Sequence, residues 1–190
     1  MNWYALYVET GNEEQVRQLL LQQFDERSLV CINPKKKVPE KRSGITYHRV
    51  RTLFPGYVFI KINMSPEYYH IIKNTPKVYK LVNNGAVYKK PARAASGNSI
   101  KEDYSFFSTI PEEEMAPILQ VMGTTDVLEY STITIENSRI HVDSGPLKGM
   151  EERIKKVDKH KNRAKVLFEI MGDGKLIDVG VEITNKYDPT

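Results

Sequence analysis

The fold of this chain is decided by one stretch in its first third, Leu53-Phe54-Pro55-Gly56-Tyr57-Val58-Phe59-Ile60-Lys61-Ile62. Pro55-Gly56 is turn chemistry, and the aromatic and β-branched residues after it favour a β-strand. Side chains alternate across a strand, so Tyr57 and Phe59 share one face while the aliphatic residues share the other. The aliphatic face is suited to packing against helices.

Strand and helix signals alternate on both sides of this stretch. Three further short strands are predicted, at residues 3–8, 29–32 and 78–82. Two amphipathic helices are predicted, over residues 12–24 and 65–73, the second with a capping Ser65 and Pro66 in its first turn. The order β-α-β-β-α-β predicts an α+β fold, a ferredoxin-like split βαβ arrangement with both helices on one face of an antiparallel sheet.

The connecting segments are assigned by composition. Residues 33–53 are basic and contain prolines, which predicts an extended hairpin or a mobile loop. Residues 89–109 are small and polar and are expected to be mobile. Another helix is predicted from residue 110 to 122, bent by Pro117, and residues 123–132 are expected to form a linker.

The last segment changes character. Short apolar runs recur about every ten residues after residue 132, which is typical of a small β-barrel. Residues 151–156 contain good helix formers, but the β-branched residues around them favour strands. The predicted domains are therefore 1–122 and 133–190, joined by the linker 123–132.

Composition excludes several classes of protein. The chain has 190 residues, a net charge of +4 and a single cysteine, Cys31, which rules out an internal disulfide framework and a Cys-rich zinc site. No apolar run is long enough to span a membrane and no secretory signal is recognisable, so we expect a cytoplasmic protein that binds no membrane.

The basic residues are clustered at positions 35–51, 73–101 and 148–165. Clustered positive charge near aromatic residues is typical of nucleic-acid binding, although for any single cluster a solvated surface is an equally good interpretation.

No pattern for catalysis or for a cofactor is found. The four histidines are scattered without metal-ligand spacing, and no phosphate-binding glycine loop or activated nucleophile is present. Residues 172–174, Gly-Asp-Gly, are interpreted as a hairpin turn. We therefore expect no catalytic residue, no metal and no cofactor, and a protein that works by binding.

An aromatic binding face is predicted on the first sheet. Tyr7, Tyr57 and Phe59 would lie on the face that the two helices leave open, with Phe54 at the entrance to the strand. An exposed aromatic patch marks a binding surface. The alternative is that the third helix or a loop covers this face.

Three blocks of sequence resemble the NusG family of transcription elongation factors: Trp3 to Val8, Arg51 to Ile60 and Val142 to Gly149. The first two resemble its N-terminal NGN domain, and the third resembles the start of its C-terminal KOW domain, an SH3-like five-stranded β-barrel. The match is closest to specialised paralogues of the RfaH and LoaP kind, above all LoaP.

The resemblance implies a monomeric antitermination or elongation factor that binds RNA polymerase. The positions that match the polymerase contacts are Tyr7, Phe54, Tyr57 and Phe59 for the clamp helices, and Tyr69 and His70 for the gate loop. Residues expected to contact upstream or non-template DNA are Arg17, Lys35, Lys36, Lys37 and Lys73. Bridging the clamp and the gate loop would hold the clamp closed and suppress pausing or termination.

The KOW half departs from the family pattern. Glu152 stands where the KOW motif has a glycine. Residues 170–173 match a segment through which relatives bind Rho and a small-subunit ribosomal protein, and in that segment Met171 replaces an aromatic residue and Asp173 a basic residue. These replacements argue against such coupling and favour binding of nascent RNA. The residues expected to bind it are Lys148, Arg153, Lys155, Lys156, Lys159, Lys161, Arg163 and Lys165. The strand pattern argues against an all-helical state of this domain. The alternative function is a KOW-containing ribosomal or translation-associated RNA-binding protein.

Overall fold

A computed structural model describes residues 1–82 and 108–184 of the chain. The stretch predicted to be mobile, residues 89–109, lies outside the described residues except for its last two. Within the described residues the helices are α1 (Glu13–Gln23), α2 (Pro66–Asn74) and α3 (Glu112–Met122). The strands are β1 (Asn2–Val8), β2 (Leu29–Ile32), β3 (Lys35–Arg42), β4 (Ile45–Thr52), β5 (Tyr57–Ile62), β6 (Val78–Leu81), β7 (Val127–Leu128), β8 (Ser131–Glu136), β9 (Arg139–Ser144), β10 (Ile154–Asp158), β11 (Arg163–Ile170) and β12 (Asp173–Thr184).

The chain divides into two compact units. Unit 1 comprises Met1–Ile32 and Gly56–Ile110, and unit 2 comprises Asn33–Pro55 and Pro111–Thr190. Residues 33–55 and 111–122, which the sequence analysis assigns to the first domain, thus group with the C-terminal residues. The predicted domain boundaries themselves stay a prediction.

Unit 1 is built on a four-stranded antiparallel sheet in the order β2-β5-β1-β6. With α1 between β1 and β2, and α2 between β5 and β6, this is the predicted split βαβ arrangement. Helix α2 begins as expected: the Ser65 hydroxyl accepts a hydrogen bond from the Tyr68 amide (3.2 Å) and Pro66 occupies the first turn.

The core of unit 1 lies on the aliphatic face of its sheet. Val58, Ile60 and Ile62 of β5 are buried together with Leu20 of α1 and Ile72 of α2. Each of these five side chains is removed from water, so the burial of this face supplies the main driving force for folding the unit. Both helices therefore cover one face, as the sequence predicts.

Unit 2 contains two sheets. In the first, β3 and β4 form a hairpin and β7 adds to β3 in parallel. Residues 33–53 are therefore an extended hairpin, one of the two predicted possibilities, and β7 lies in the predicted linker. The second sheet has five strands in the order β10-β11-β12-β8-β9. Five strands are as predicted, and closure into an SH3-like barrel stays a prediction.

The helix-forming residues before β10 form only a short turn. Glu151–Arg153 is a single turn of 3₁₀ helix, and the strand begins at Ile154, where the β-branched residues begin. Glu152, which replaces a glycine of the family pattern, is not among the described residues with a positive φ, so its side chain causes no backbone strain.

Candidate docking and nucleic-acid interfaces

Three tyrosines form a partly exposed cluster on the sheet of unit 1. Tyr7 and Tyr57 are directly opposite each other on β1 and β5, with ring centroids 5.8 Å apart. The ring of Tyr79 on β6 lies 5.6 Å from that of Tyr7. Tyr7 is 39% exposed and Tyr79 is 61% exposed, while Tyr57 is half-buried. These rings offer apolar area and hydroxyl groups to a partner.

A buried carboxylate holds the turn that positions Tyr57. Glu13, in the first turn of α1, accepts hydrogen bonds from the amides of Gly56 (2.8 Å) and Gly11 (3.0 Å). Gly56 has a φ of +82°, so this position needs a residue that tolerates a left-handed backbone. Its carbonyl oxygen accepts a hydrogen bond from the Val8 amide (2.8 Å). The turn and the helix thereby fix the start of β5 next to Tyr7.

The predicted exposure of Phe54 and Phe59 is wrong. Phe54 is 2% exposed and Phe59 is 0% exposed, and Trp3 and Ala5 on the same face of β1 are also buried. Strand alternation places these side chains on the correct face but does not reveal whether that face is covered. Of the four residues expected to meet the clamp helices, only Tyr7 and Tyr57 reach solvent.

Phe54 belongs to the core of unit 2. Its ring packs edge-on against that of Phe168 on β11, with centroids 5.7 Å apart and planes at 85°. The Leu53 amide donates to the Pro34 carbonyl (2.7 Å), which ties the segment entering Phe54 to the base of the hairpin. Helix α3 packs against the same strand, β11.

The predicted gate-loop residues lie on α2. His70 is exposed and Tyr69 is half-buried, with ring centroids 5.7 Å apart. The ammonium group of Lys73 lies 5.9 Å from the centre of the Tyr69 ring, a cation–π distance. Tyr69, His70 and Lys73, predicted separately as polymerase and DNA contacts, therefore form one surface.

Several of the predicted nucleic-acid residues are engaged within the protein. Arg17 pairs with Glu14 (3.0 Å) and donates to the Cys31 carbonyl (3.0 Å), while Lys37 pairs with Glu129 (3.0 Å). Further intramolecular contacts are those of Arg153 with the Leu167 carbonyl, Arg163 with the Pro39 carbonyl and Lys165 with Asp178. Lys35 and Lys36 are half-buried at the base of the hairpin. Burial lowers the pKa of Lys36, with nearby Asp178 acting in the opposite direction.

The other predicted cations are exposed: Lys155 and Lys156 on β10, Lys159 and Lys161 in the following turn, and Lys148. Three of them also have partners within the protein, since Lys155 donates to the Glu152 carbonyl (2.8 Å), Lys161 pairs with Asp158 (3.8 Å) and Lys148 donates to the Asp143 carbonyl (3.4 Å). Asp158 shapes this turn: its carboxylate accepts a hydrogen bond from the Lys161 amide (3.0 Å), and that bond is the main reason that its pKa is lowered. The exposed lysines of β10 and of the β10–β11 turn thus supply positive charge suitable for binding phosphate.

The turn between β11 and β12 is formed by Met171 and Gly172 rather than by the predicted residues 172–174. Both turn residues have positive φ, 54° and 79°, and the pairing runs on to Ile170 and Asp173. The carboxylate of Glu114 on α3 accepts hydrogen bonds from the Met171 and Gly172 amides. The turn that joins β11 to β12 is therefore held by a helix of its own unit.

Neither a metal site nor a membrane span is found in the described part of the chain. Residues 1–82 and 108–184 contain no group of three or more His, Cys, Asp or Glu side chains that could hold a metal ion. No helix in the same ranges is long and apolar enough to cross a membrane.

Comparison with known protein families shows which family this chain belongs to. The family model described as "Transcription termination factor nusG" matches residues 1–98, more than half of the 190 residues. This chain belongs to the NusG family. Proteins of that family are transcription termination/antitermination factors that act on the transcription machinery, and they are not enzymes.

Individual NusG relatives match along almost the entire chain. The transcription termination/antitermination proteins NusG of Staphylococcus aureus and Staphylococcus epidermidis are each 23% identical over 178 residues, which covers 90% of this chain and 87% of theirs. A solved structure described as "Domain interaction in Thermotoga maritima NusG" has a TM-score of 0.54 and 21% identity, covering 94% of this chain and 93% of that one. At this identity the structural likeness supports the α+β fold.

The sequence-based prediction does not include two residues of these interfaces, Tyr79 and Glu114. Tyr79 is an isolated aromatic in a short strand, and only the pairing of β1 with β6 brings it to Tyr7. Glu114 is one of three consecutive glutamates, so nothing in the sequence distinguishes it from its neighbours. Regular strand pairing would not reveal Tyr79, because the residue opposite Tyr7 is Lys80. Tyr79 comes beside Tyr7 where the register shifts between Tyr7 and Val8.

Proposed function

We propose that this NusG-family protein is an elongation and antitermination factor that binds RNA polymerase through the tyrosine cluster of Tyr7, Tyr57 and Tyr79. The observation that carries the proposal is the exposure of these rings on a well-packed sheet. Interface aromatics of this kind often contribute about 2 kcal/mol or more of binding energy. The clamp helices of the largest polymerase subunit are the proposed partner surface.

A second contact would allow the protein to bridge the clamp and the gate loop of the polymerase. Tyr69 and His70 on α2 are proposed to contact the polymerase gate loop, and the adjacent Lys73 is available for upstream or non-template DNA. A factor that binds the closed clamp more tightly than the open one shifts the polymerase towards the closed state. Suppression of pausing or termination follows from that shift and requires no chemical step.

Phe54 and Phe59 take part in docking only in a conformation that exposes them. Both are buried in the present conformation, so the tyrosines are the groups that a partner can reach first. Phe54 would have to separate from Phe168 before it could contact the polymerase.

The C-terminal residues are proposed to form a KOW domain, residues 133–190, that binds nascent RNA through the exposed lysines of the β10–β11 turn. Residues 1–122 are proposed as the NGN domain and 123–132 as the linker. This RNA-binding role, together with Met171 and Asp173 in the segment that relatives use for Rho and the ribosome, supports a specialised, LoaP-like member of the family over a general coupling factor.

The polymerase contact is tested by measuring the affinity of the full-length protein for core RNA polymerase. Tyr7→Ala and Tyr79→Ala should each weaken binding by roughly thirtyfold or more, with unchanged melting temperatures. Leu21→Ala is the matched control, because Leu21 is exposed to a similar degree on α1, away from the tyrosine cluster. Equal affinities for all three variants and the wild type would refute the proposed surface.

The RNA contact is tested by the dependence of RNA affinity on salt. For each phosphate that the protein no longer neutralises, the slope of log affinity against log salt should become smaller by about 0.7 to 0.9. The double variant Lys156→Ala/Lys159→Ala should therefore show a clearly smaller slope. Arg27→Ala, an exposed cation outside the three basic clusters, is the control and should keep the wild-type slope.

A further inference from the structure

Strand β4 is an exposed edge strand that carries exposed aliphatic side chains as well as charged ones. It lies at the end of the sheet β4-β3-β7, so within the described residues no strand pairs with its outer edge. All residues from Ile45 to Arg51 are exposed, including Ile45 (58%) and Val50 (52%). Natural proteins usually protect an exposed edge of this length, because unpaired backbone groups there attract another strand.

The register shows which backbone groups point outward. The Leu53 amide donates to the Pro34 carbonyl (2.7 Å), so this pair is hydrogen-bonded across the hairpin. In an antiparallel ladder the hydrogen-bonded and non-bonded pairs alternate. The non-bonded pairs therefore include Lys41 with Thr46, Pro39 with His48, and Lys37 with Val50.

Contacts on the opposite side of the hairpin agree with this alternation. The Pro39 carbonyl accepts a hydrogen bond from the Arg163 guanidinium (2.6 Å), and the Lys35 amide donates to the Asp126 carbonyl (2.9 Å). Both groups of β3 thus point away from β4, as expected for residues in non-bonded pairs. By the same rule the amides and carbonyls of Thr46, His48 and Val50 point away from β3, towards the open edge.

The side chains around this edge are mainly basic, so they favour a partner with negative charge. Arg42, Arg49 and Arg51 lie on or beside the strand together with Lys41 and His48, against Glu40 as the one acid of the hairpin. Glu40 pairs with Arg51 (3.0 Å), and the Arg49 guanidinium lies 5.9 Å from the centre of the Tyr47 ring. Arg42 and Arg49 remain to attract an acidic partner.

We propose that the outer edge of β4 binds an extended, acidic segment of a partner protein as an added β-strand. Main-chain hydrogen bonds to residues 46, 48 and 50 would supply affinity. Alternate side chains of the segment would lie over Val50 on one face of the sheet, and those between them would lie on the other face, which carries Ile45 and Arg49. Acidic side chains of the segment would pair with Arg42 and Arg49.

Other occupants fit these observations less well. A nucleic acid would use the arginines but has no use for outward amides at two-residue spacing or for exposed Ile45 and Val50. A second copy of this chain would bring Arg42, Arg49 and Arg51 of both copies into one sheet, and like charges on adjacent strands are destabilising.

The proposal is tested with full-length protein and a synthetic ten-residue peptide in which Glu and Val alternate. The control peptide has the same sequence with N-methyl groups on alternate residues, which removes pairing and keeps the charge. Val50→Pro removes one outward amide without removing a bond to β3, and Val50→Thr is its matched control because it keeps the amide and the β-branched shape. Binding is measured by fluorescence anisotropy, and backbone exchange by NMR.

The peptide should bind the wild type and Val50→Thr, and it should slow amide exchange at Thr46, His48 and Val50 but not at Tyr47 and Arg49. Val50→Pro should weaken binding about fivefold, the scale of one lost hydrogen bond, and the N-methylated peptide should not bind. Equal binding of both peptides would overturn the proposal, whatever the fold of the proline variant. Absence of binding of the unmodified peptide would also overturn the proposal. This holds even if the edge is then found to bind single-stranded DNA or a second copy of the chain.

Discussion

The ring of Phe54 packs edge-on against the ring of Phe168, with centroids 5.7 Å apart. Both side chains are almost completely buried, at 2% and 1% exposure. A residue at the end of the β3–β4 hairpin is thus part of the same core as β11. Two consequences can be measured, one for stability and one for the coupling between the two rings.

Phe54→Ala and Phe168→Ala should each lower the free energy of unfolding of unit 2 by about 3–5 kcal/mol, because each leaves a cavity in a packed core. In the double variant the losses should be non-additive by about 1 kcal/mol, the usual coupling of an edge-to-face aromatic pair. Urea denaturation followed by fluorescence and circular dichroism measures both quantities.

Leu176→Ala serves as the control for these variants, since Leu176 is 54% exposed on β12 and its removal should change stability little. A Phe54→Ala protein as stable as the wild type would show that this packing is not maintained in solution.

The backbone of the first sheet could be predicted from the sequence because its signals are local. Each element is determined by a few neighbouring residues. Examples are the alternating side chains of β5, Ser65-Pro66 at the start of α2 and Pro76 just after its end. The burial of Phe54 and Phe59 could not be predicted in this way. Alternation separates the two faces of a strand, whereas burial depends on which distant residues cover each face.

The turns show the same limit. The residues Gly172-Asp173-Gly174 have good turn composition, yet the chain reverses at Met171 and Gly172. Pairing of β11 with β12 and two hydrogen bonds to Glu114 outweigh the local preference for a small residue at position 171. Met171 therefore adopts a left-handed backbone conformation, which a residue with a Cβ atom does not favour on its own.

Glu114→Gln should destabilise unit 2 by about 1–2 kcal/mol, because hydrogen bonds to a charged acceptor are stronger than those to a neutral amide. Glu113→Gln, at an exposed neighbouring position, should change stability by less than about 0.5 kcal/mol. Thermal denaturation of the two variants makes the comparison. Identical melting temperatures would mean that the Glu114 carboxylate does not hold the turn.

Ser43→Asn should stabilise the β3–β4 hairpin by about 0.5–1 kcal/mol. Ser43 and Gly44 connect the strands with positive φ at both positions, 51° and 80°, and Asn-Gly is the preferred pair for such a turn. Ser43 is exposed, so the substitution changes little else. Amide exchange of the hairpin should slow in the variant; faster exchange would contradict the turn geometry.

Cys31 should be unreactive in the folded protein. Burial raises the pKa of its thiol from 9.0 to about 12, with a smaller opposing effect of Arg17. Only the thiolate attacks thiol reagents. Labelling with a disulfide reagent at neutral pH should therefore be slow in the native protein and fast in guanidinium chloride. Equally fast labelling under both conditions would show that Cys31 is accessible.

The same shift in pKa predicts the direction of a pH dependence. Above pH 9 the unfolded chain loses the Cys31 proton while the folded protein keeps it up to about pH 12. The contribution of the protonated thiol is thus complete below pH 9 and is lost as the pH rises towards 12, by at most about 1.4 kcal/mol per pH unit. The difference in stability between wild type and Cys31→Ala should shrink over that range.

Polymerase docking through the tyrosine cluster is tested most directly by site-specific crosslinking. Tyr79 is replaced by a photoreactive phenylalanine derivative, which its 61% exposure allows without disturbing the core. Irradiation of the full-length protein with transcribing RNA polymerase should crosslink position 79 to the largest polymerase subunit, and Tyr7→Ala in the same chain should reduce the yield. Crosslinks to RNA alone, or no crosslink while the protein still suppresses termination, would contradict the account.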